Sequence, residues 1–211
     1  GVNMADSYSR IHNGNKIGVF TMQHGPGAEN AFGGVAQAFA DNVPILLIPG
    51  GSTKRRVDVH PGFDAVPNYK HITKWAGRIN TIERIPEMVS RAFTHLRHGR
   101  PGPVLLELPG DVGSAEVPGD IENYEPVKTY KSFAASEDIR DIITALLKAK
   151  KPIIVAGQGT LYAEAWDELV EFAELVNIPV MTSLAGKSAF PEDHHLALGT
   201  GGNTGTLMVD R

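Results

Sequence analysis

The stretch "IGVFTMQHGPGAENAFGGVAQAFADNVPILLIPGG" (residues 17–51) constrains the fold of this chain more than any other feature. Ile17–Met22 is a mostly apolar, β-rich run, the pattern of a strand covered on both faces. Pro44–Ile48 is a second such run. Between them, from about Ala28 to Ala40, the apolar residues Phe32, Val35, Ala36 and Phe39 recur at helical spacing and predict a helix with that apolar face. Strand, helix and strand in this length read as a βαβ unit, whose strands run parallel through a right-handed crossover. The predicted class is therefore α/β. Ligands in such sheets bind at the carboxyl ends of the strands, and "HGPG" falls at that end.

The same logic organises the rest of the chain. Val2–Ile11 reads as a short helix and "HNGNK" (12–16) as a turn. Gly50–Tyr69 is a long polar loop rich in Gly and Pro, and loops of that length are often functional. "KHITKWAGRI" adds a short strand. Ile85, Met88, Val89, Ala92, Phe93 and Leu96 mark a helix, with Pro86 in its first turn and Gly99 just past its end. Gly102–Pro109 is another buried strand. Gly110–Glu137 has no period and reads as a linker, with a domain boundary near residue 130. Beyond it Ile139, Ile142, Ile143, Leu146 and Leu147 predict a helix with Ser136 as N-cap. "KPIIVAG" is then a strand, Ala163–Val176 a helix, "IPVMTS" a strand, and "LAGKSAFPEDHHLALGTGGNTG" loop-rich. The expected architecture is two three-layer segments, 1–130 and 131–211, with mainly parallel sheets flanked by helices.

Bulk properties exclude several functions. A net charge of −4 gives no electrostatic footprint for nucleic acid. No apolar run is long enough to span a bilayer. The 211 residues include no cysteine, which removes thiol chemistry and disulfides and fits a reducing, cytoplasmic setting. "GVNMADSYSR" reads as the middle of a helix, and "TGTLMVDR" stops within an apolar-periodic segment, so a piece of a longer polypeptide is expected.

The loop "QHGPGAEN" follows a strand and opens a helix, as phosphate-binding loops do. It is neither G-x-G-x-x-G nor a P-loop, and Pro26 has no N–H to give an anion. A proline ring between Gly25 and Gly27 suits a flat, rigid contact, and the glycines let a ligand approach the backbone. Asn30 lies one helical turn beyond Pro26, and its carboxamide both donates and accepts, as an aminated heteroaromatic ring requires. The alternative is a turn that merely starts a helix. Gly33 and Gly34 inside that helix imply close packing against another backbone, that of another subunit being one option. "GQGT" (157–160) contains a lone G-x-G, which fits a tight strand-to-helix turn better than a dinucleotide loop. The histidines form no metal constellation, and "KRR" (54–56) reads as a solvated basic patch or an anion contact. Glu29 and Asp41 read as helix-end charges.

On these residues the chain resembles the thiamine-diphosphate-dependent enzymes of the acetolactate (acetohydroxyacid) synthase and pyruvate oxidase superfamily. Their pattern is a strand, G-P-G-x-x-N, a small-residue helix, D-x-x-P, and a strand ending in a T-G-Q-like turn. "MADSYSR" is similar to the helix before that pattern, "GRPGPVLLELPGDV" to the end of the same domain, and "KKPIIVAGQGTLYAEA" with "NIPVMTSLAGKSAFPEDHHLALG" to the central domain. The resemblance implies the later part of a pyrimidine-binding domain in 1–130 and the earlier part of a Rossmann-like central domain in 131–211. It places Pro26 and Asn30 beside the pyrimidine ring, with Gly25 and Gly27 shaping the loop. Gly51 stands where the synthases often carry a Gln that approaches the cofactor, and His24 where Ser or Thr commonly precedes G-P-G.

The family's glutamate, which activates the cofactor, is expected just before Gly1, so no catalytic residue is assigned within the chain. Its Mg²⁺ and diphosphate site follows a G-D-G…N pattern that "PGDVG" and "PGDIEN" do not fit, so no metal ligand is assigned. The implied cofactors are thiamine diphosphate and Mg²⁺, with FAD as a further option. The implied activity is decarboxylation of a 2-keto acid with carboligation, in a homodimer or homotetramer, and the chain alone is expected to be inactive. Two rivals follow: a sister 2-keto acid or acyl-CoA decarboxylase, and a noncatalytic nucleotide-binding module using "GQGT".

Overall fold

The computed structural model describes residues 1–119, 125–130 and 132–202. Residues 120–124, which include most of "PGDIEN", and the end "TGTLMVDR" lie outside them. Two compact units are present, residues 1–130 and residues 131–211.

The first unit begins with α1 (Val2–Ile11), β1 (Gly18–Met22), α2 (Pro26–Ala40) and β2 (Ile45–Gly51). A 3₁₀ turn at Lys54–Arg56 leads to α3 (Ala65–Tyr69) and β3 (Trp75–Arg78). A second such turn at Ile82–Arg84 precedes α4 (Ile85–Arg97), β4 (Val104–Pro109) and the single turn α5 (Gly110–Gly113). The sheet is parallel throughout, in the order β1-β2-β4-β3. The central strands β2 and β4 are largely apolar on both faces because both are covered. Ile45, Leu47 and Leu105 face one cluster with Val35, Ala38 and Tyr69, while Leu46, Val104 and Leu106 face another with Met88, Ala92 and Leu96. Each fully buried Val, Leu, Ile or Met among them contributes about 1.5–3 kcal/mol through burial.

The βαβ reading of residues 17–51 holds, with two corrections. The helix starts earlier, at Pro26, whose missing N–H suits the first helical position. Its buried face is Ala28, Ala31, Val35 and Ala38, whereas Phe32 and Phe39 remain 39% and 40% exposed. Small residues let the helix sit close to the sheet, so the phenylalanines lie on its flanks; Phe32 packs edge-on against Tyr69 at 5.3 Å between centroids. The neighbour of Gly34 is likewise not another backbone. A β-carbon there would meet the Val2 side chain on α1 at 2.5 Å, and one at Gly33 would meet open space.

A buried serine joins α1 to the sheet. The Ser9 hydroxyl donates to the Pro44 carbonyl at 2.7 Å and accepts from the Gly18 N–H at 2.8 Å. It thereby satisfies two main-chain groups at the starts of β1 and β2. The predicted loop 50–69 is partly ordered: it supplies the last two residues of β2, a 3₁₀ turn and α3, which Asp64 caps by accepting from the Val66 N–H. Lys54–Arg56 is exposed.

The second unit contains α6 (Ser136–Lys148), β5 (Ile154–Ala156), α7 (Gln158–Ala163), α8 (Trp166–Val176), β6 (Val180–Ser183), a 3₁₀ turn at Leu184–Gly186 and β7 (Ala197–Gly201). Its sheet is parallel in the order β5-β6-β7. The N-cap of α6 is Ala135, and Ser136 is its first helical residue with no capping bond. The helix predicted over 163–176 begins three residues later, at Trp166, and a separate short helix, Gln158–Ala163, occupies the predicted turn before it; Glu164 in a left-handed conformation (φ 56°) ends that short helix. The segment predicted as loop after "IPVMTS" contains β7. Its Thr200 hydroxyl lies 3.1 Å from that of Thr182 on β6. The apolar stripe of α6 forms, but Ile139, Ile142 and Leu147 stay exposed. No helix among the described residues is long and apolar enough to cross a membrane.

Candidate functional site

β1 ends at Met22, and the chain then makes the Gly25 turn at φ 67°, ψ −107°. A β-carbon at Gly25 would meet nothing within 4 Å, so glycine is required there by backbone conformation alone. Space decides Gly27, whose added β-carbon would come within 2.9 Å of the Gln23 side chain. The first turn of α2 is poor in free donors. The Ala28 N–H is given to the Gln23 carbonyl at 3.1 Å, the Glu29 N–H to the Gly25 carbonyl at 2.9 Å, and Pro26 has none. The loop is thus unsuited to cradling a phosphate, as its sequence indicates.

Pro26 and Asn30 are both exposed. They stand one turn apart on the face of α2 opposite Ala28, Ala31, Val35 and Ala38. They present a ring and a carboxamide side by side, directed away from their own sheet. The structure separates them from a cavity of about 330 Å³ at the strand ends, lined by His24, Gly51, Ser52, Thr53, Arg56 and Pro61 among others. His24 and Gly51 are therefore together, and Gly50 supports them, since a β-carbon at Gly50 would lie 3.3 Å from the His24 nitrogen. The His24 Nε2 is 3.4 Å from the Ser52 hydroxyl.

Behind Gly51 stands a group whose role is not visible in the motif pattern. Glu107, on β4, is 1% exposed and forms a buried ion pair with Arg78 Nε on β3. Arg78 Nη2 also donates to Asp64 at 2.6 Å. Two carboxylates thus share one guanidinium. Burial pushes the Glu107 carboxyl above the ordinary range and Arg78 pulls it back only in part. Its Oε2 has no partner among the described residues. The available sequence signal was a single charge inside the apolar run "VLLELP", together with an arginine inside "WAGR".

The layer over this site is held by Tyr69, which is fully buried and donates its hydroxyl to the Ala28 carbonyl in the first turn of α2. Burial raises this phenol to about 12. The folded state resists ionisation that the unfolded chain undergoes near pH 10. The stabilisation is complete below pH 10 and is lost as pH rises toward 12. Urea midpoints measured between pH 9 and 11.5 are expected to fall for the unaltered chain and to fall less for Tyr69→Phe.

The second unit offers no comparable site at "GQGT". Gly157 and α7 follow β5 directly, and the backbone at Gly186 closes on the turn. A β-carbon at Gly186 would lie 2.6 Å from the Ala156 carbonyl oxygen and 2.8 Å from the Gly157 carbonyl carbon. His194 and His195 have centroids 4.4 Å apart, but His194 accepts from the Leu196 N–H at Nδ1 and faces Glu174 through Nε2 at 3.1 Å. No group of three or more potential metal ligands occurs among the described residues. Asp41 does stand at a helix end, closing α2, and Arg10 pairs with it at 2.7 Å. Glu29 lies in the first turn of the same helix.

Comparison with known proteins adds an independent line. Residues 1–72 match the family model of the thiamine pyrophosphate enzyme N-terminal TPP-binding domain. Residues 139–211 match that of the thiamine pyrophosphate enzyme central domain. Among curated relatives, a glyoxylate carboligase of Escherichia coli O157:H7 is 37% identical over 93% of this chain and 33% of its own length. A probable acetolactate synthase large subunit of Methanocaldococcus jannaschii is 38% identical over 98% of this chain and 36% of its own. The acetolactate synthase large subunit of Lactococcus lactis is 35% identical over 98% and 36%. The chain spans about a third of the length of these relatives.

Proposed function

The chain belongs to the thiamine pyrophosphate enzymes, and on that premise we propose that it forms the pyrimidine-holding part of a thiamine-diphosphate-dependent enzyme of the acetolactate synthase type. The substrates in this reading are 2-keto acids, which are decarboxylated and joined to a second carbonyl compound. The relatives named acetolactate synthase and glyoxylate carboligase support this choice over a simple decarboxylase. The packing of Gly186 against "GQGT" weighs against a nucleotide-binding module.

The observation that carries the reading is the exposed pair Pro26 and Asn30. A polar carboxamide beside a rigid ring, both directed outward from a well-packed helix, is arranged for a flat partner that can donate and accept. The pyrimidine of thiamine diphosphate is such a partner. When bound, the cofactor supplies the nucleophilic carbon and the electron sink for decarboxylation. The residues of this chain bind and orient its ring. Pro26 gives a flat contact, Asn30 fixes the ring edge, and the Gly25 turn sets the angle between them. Gly27 keeps the loop close to β1.

An exposed contact of this kind encloses only one side of a ligand, whereas small-molecule sites bury most of theirs. We infer that a second subunit closes the site, in a homodimer or homotetramer, and that Mg²⁺ and the diphosphate are held there. In this reading 1–130 is the pyrimidine-binding domain and 131–211 the start of the central domain, and the enzyme is cytoplasmic, which the lack of cysteine fits.

Titration of the native-length protein with thiamine diphosphate in the presence of Mg²⁺, with FAD as a second probe and pyruvate consumption as readout, tests this. Saturable thiamine diphosphate binding with keto acid turnover is expected. Asn30→Ala, a change on an exposed helical face, is expected to weaken that binding about tenfold or more while leaving the fold intact. The absence of saturable binding, or binding indifferent to Asn30→Ala, defeats the reading.

A further inference from the structure

The first unit has a second cavity, at the amino ends of its strands. Asn42 precedes β2, Lys74 precedes β3, and Arg100 and Pro101 precede β4. With Phe39 from the last turn of α2 and His98 from the end of α4, they line a space of about 430 Å³. That volume is in the range of small-molecule sites. The strands place it about 15–20 Å from the cavity of His24 and Gly51. It sits at the end of α2 opposite to Pro26 and Asn30.

Its lining combines an apolar part, Phe39 with Pro101, and two cations. Half-buried Lys74 donates its ammonium to the His98 carbonyl, and both residues border the cavity. That carbonyl closes α4, where a cation is favoured, but the bond uses only one of three ammonium donors. Arg100 gives its Nε to Asn42 Oδ1 at 2.5 Å, again between two lining residues. Its two Nη groups have no partner among the described residues. Neither cation has an ion pair among them. Asp41, next to Asn42, is taken by Arg10 at 2.7 Å. The other end of the sheet shows the contrast. There Arg78 is answered by Asp64 and by Glu107, which fills the space beside Gly51: a β-carbon at 51 would lie 2.5 Å from its Oε1. At the amino ends no carboxylate among the described residues plays that part. Burial accordingly lowers the Lys74 ammonium from its ordinary range, and a bound anion would offset that cost.

We propose that this cavity binds a small organic acid, its carboxylate or phosphate head met by Lys74 Nζ and the Arg100 guanidinium and its apolar body laid against Phe39 and Pro101. The planar guanidinium suits either head, because its paired N–H groups match two oxygens of one anion. The mixed lining requires both parts of the ligand: an anion without a body leaves Phe39 uncovered, and a body without charge leaves the two cations unanswered. The site does not depend on the thiamine diphosphate reading.

Titration of the native-length protein with four probes, followed by ligand-observed NMR in the presence of thiamine diphosphate and Mg²⁺, tests the assignment. Phenylacetate and phenyl phosphate carry the two heads on one ring. 2-Phenylethanol is the body without charge, and inorganic phosphate is the charge without a body. At least one of the first two is expected to bind saturably, with a Kd of about 1 mM or tighter, and about threefold or more tighter than both 2-phenylethanol and inorganic phosphate. The tighter of the two identifies the head. Arg100→Ala, a change at an exposed side chain, is expected to weaken that probe about threefold or more. Phe39→Ala is expected to do the same while leaving inorganic phosphate unaffected.

Failure of both ring anions to saturate overturns the proposal, as does 2-phenylethanol or inorganic phosphate binding within about threefold of them. Binding that changes by less than about threefold in Arg100→Ala places the probe elsewhere and overturns it too. Lys74→Met, which keeps the stem and removes the charge, is expected to act as Arg100→Ala does. Should circular dichroism show Lys74→Met unfolded, Arg100→Ala and Phe39→Ala decide. None of the probes contains thiamine, so each of these failures leaves the thiamine diphosphate reading standing.

Discussion

Arg78→Ala is expected to destabilise the first unit by about 3–5 kcal/mol, read as a fall in the urea midpoint. The reason is asymmetric. Removing the guanidinium leaves Glu107 with neither oxygen paired, in a position only 1% exposed. It also frees Asp64, the cap of α3. Water cannot reach Glu107 to compensate, so the carboxyl must either bear the desolvation cost or take up a proton. The double variant Arg78→Ala with Glu107→Gln is expected to recover a large part of the loss, because no buried charge remains. Trp75, which stands on β3 three residues from Arg78, reports the transition in a Trp166→Phe background. A loss below about 1 kcal/mol for Arg78→Ala would mean that Glu107 is not confined as described.

What could be read from the chain and what could not divide along a physical line. The β1–α2–β2 unit was legible because its signals are local: two apolar runs, a helix between them, and Pro26 at the first helical position. Asn30 was legible as a companion of Pro26 for the same reason, since four residues on a helix span one turn. The buried face of α2 is not legible in the same way, because apolar size is a poor guide to depth. A helix pressed close to a sheet buries alanines and leaves phenylalanines on its flanks. The short helix Gln158–Ala163 is not legible because "GQGT" reads as a turn, and the left-handed Glu164 that separates it from the next helix is an unusual residue for that conformation.

The cluster of Asp64, Arg78 and Glu107 was invisible for a different reason. Its members are separated by 14 and 29 residues and meet only because β4 inserts between β2 and β3. Strand order is a tertiary fact that no local pattern carries. Once that order is known, the lone charge in "VLLELP" and the glycine at 51 explain each other. The general sign is a charged residue in an otherwise continuous apolar strand, which must find a partner across the sheet.

Gly18→Ala is expected to cost about 3 kcal/mol and to loosen α1 from the sheet. An alanine β-carbon at that position would fall 2.0 Å from the Ala5 carbonyl oxygen and 2.7 Å from the Ala5 α-carbon. Both are backbone atoms within α1, so no rotamer change relieves the contact and the helix itself must move. That movement also pulls Ser9 from its place. Its hydroxyl would release the Gly18 N–H and the Pro44 carbonyl, both buried main-chain groups that then lack partners. Because α1 also abuts Gly34 through Val2, the displacement is transmitted to α2, which presents Pro26 and Asn30. Hydrogen exchange should therefore rise over residues 2–11 and in the first turns of α2, with little change in α4. Exchange confined to residues 16–20 would show that β1 yields instead of the helix and that the two elements are less tightly coupled than their contact distances require.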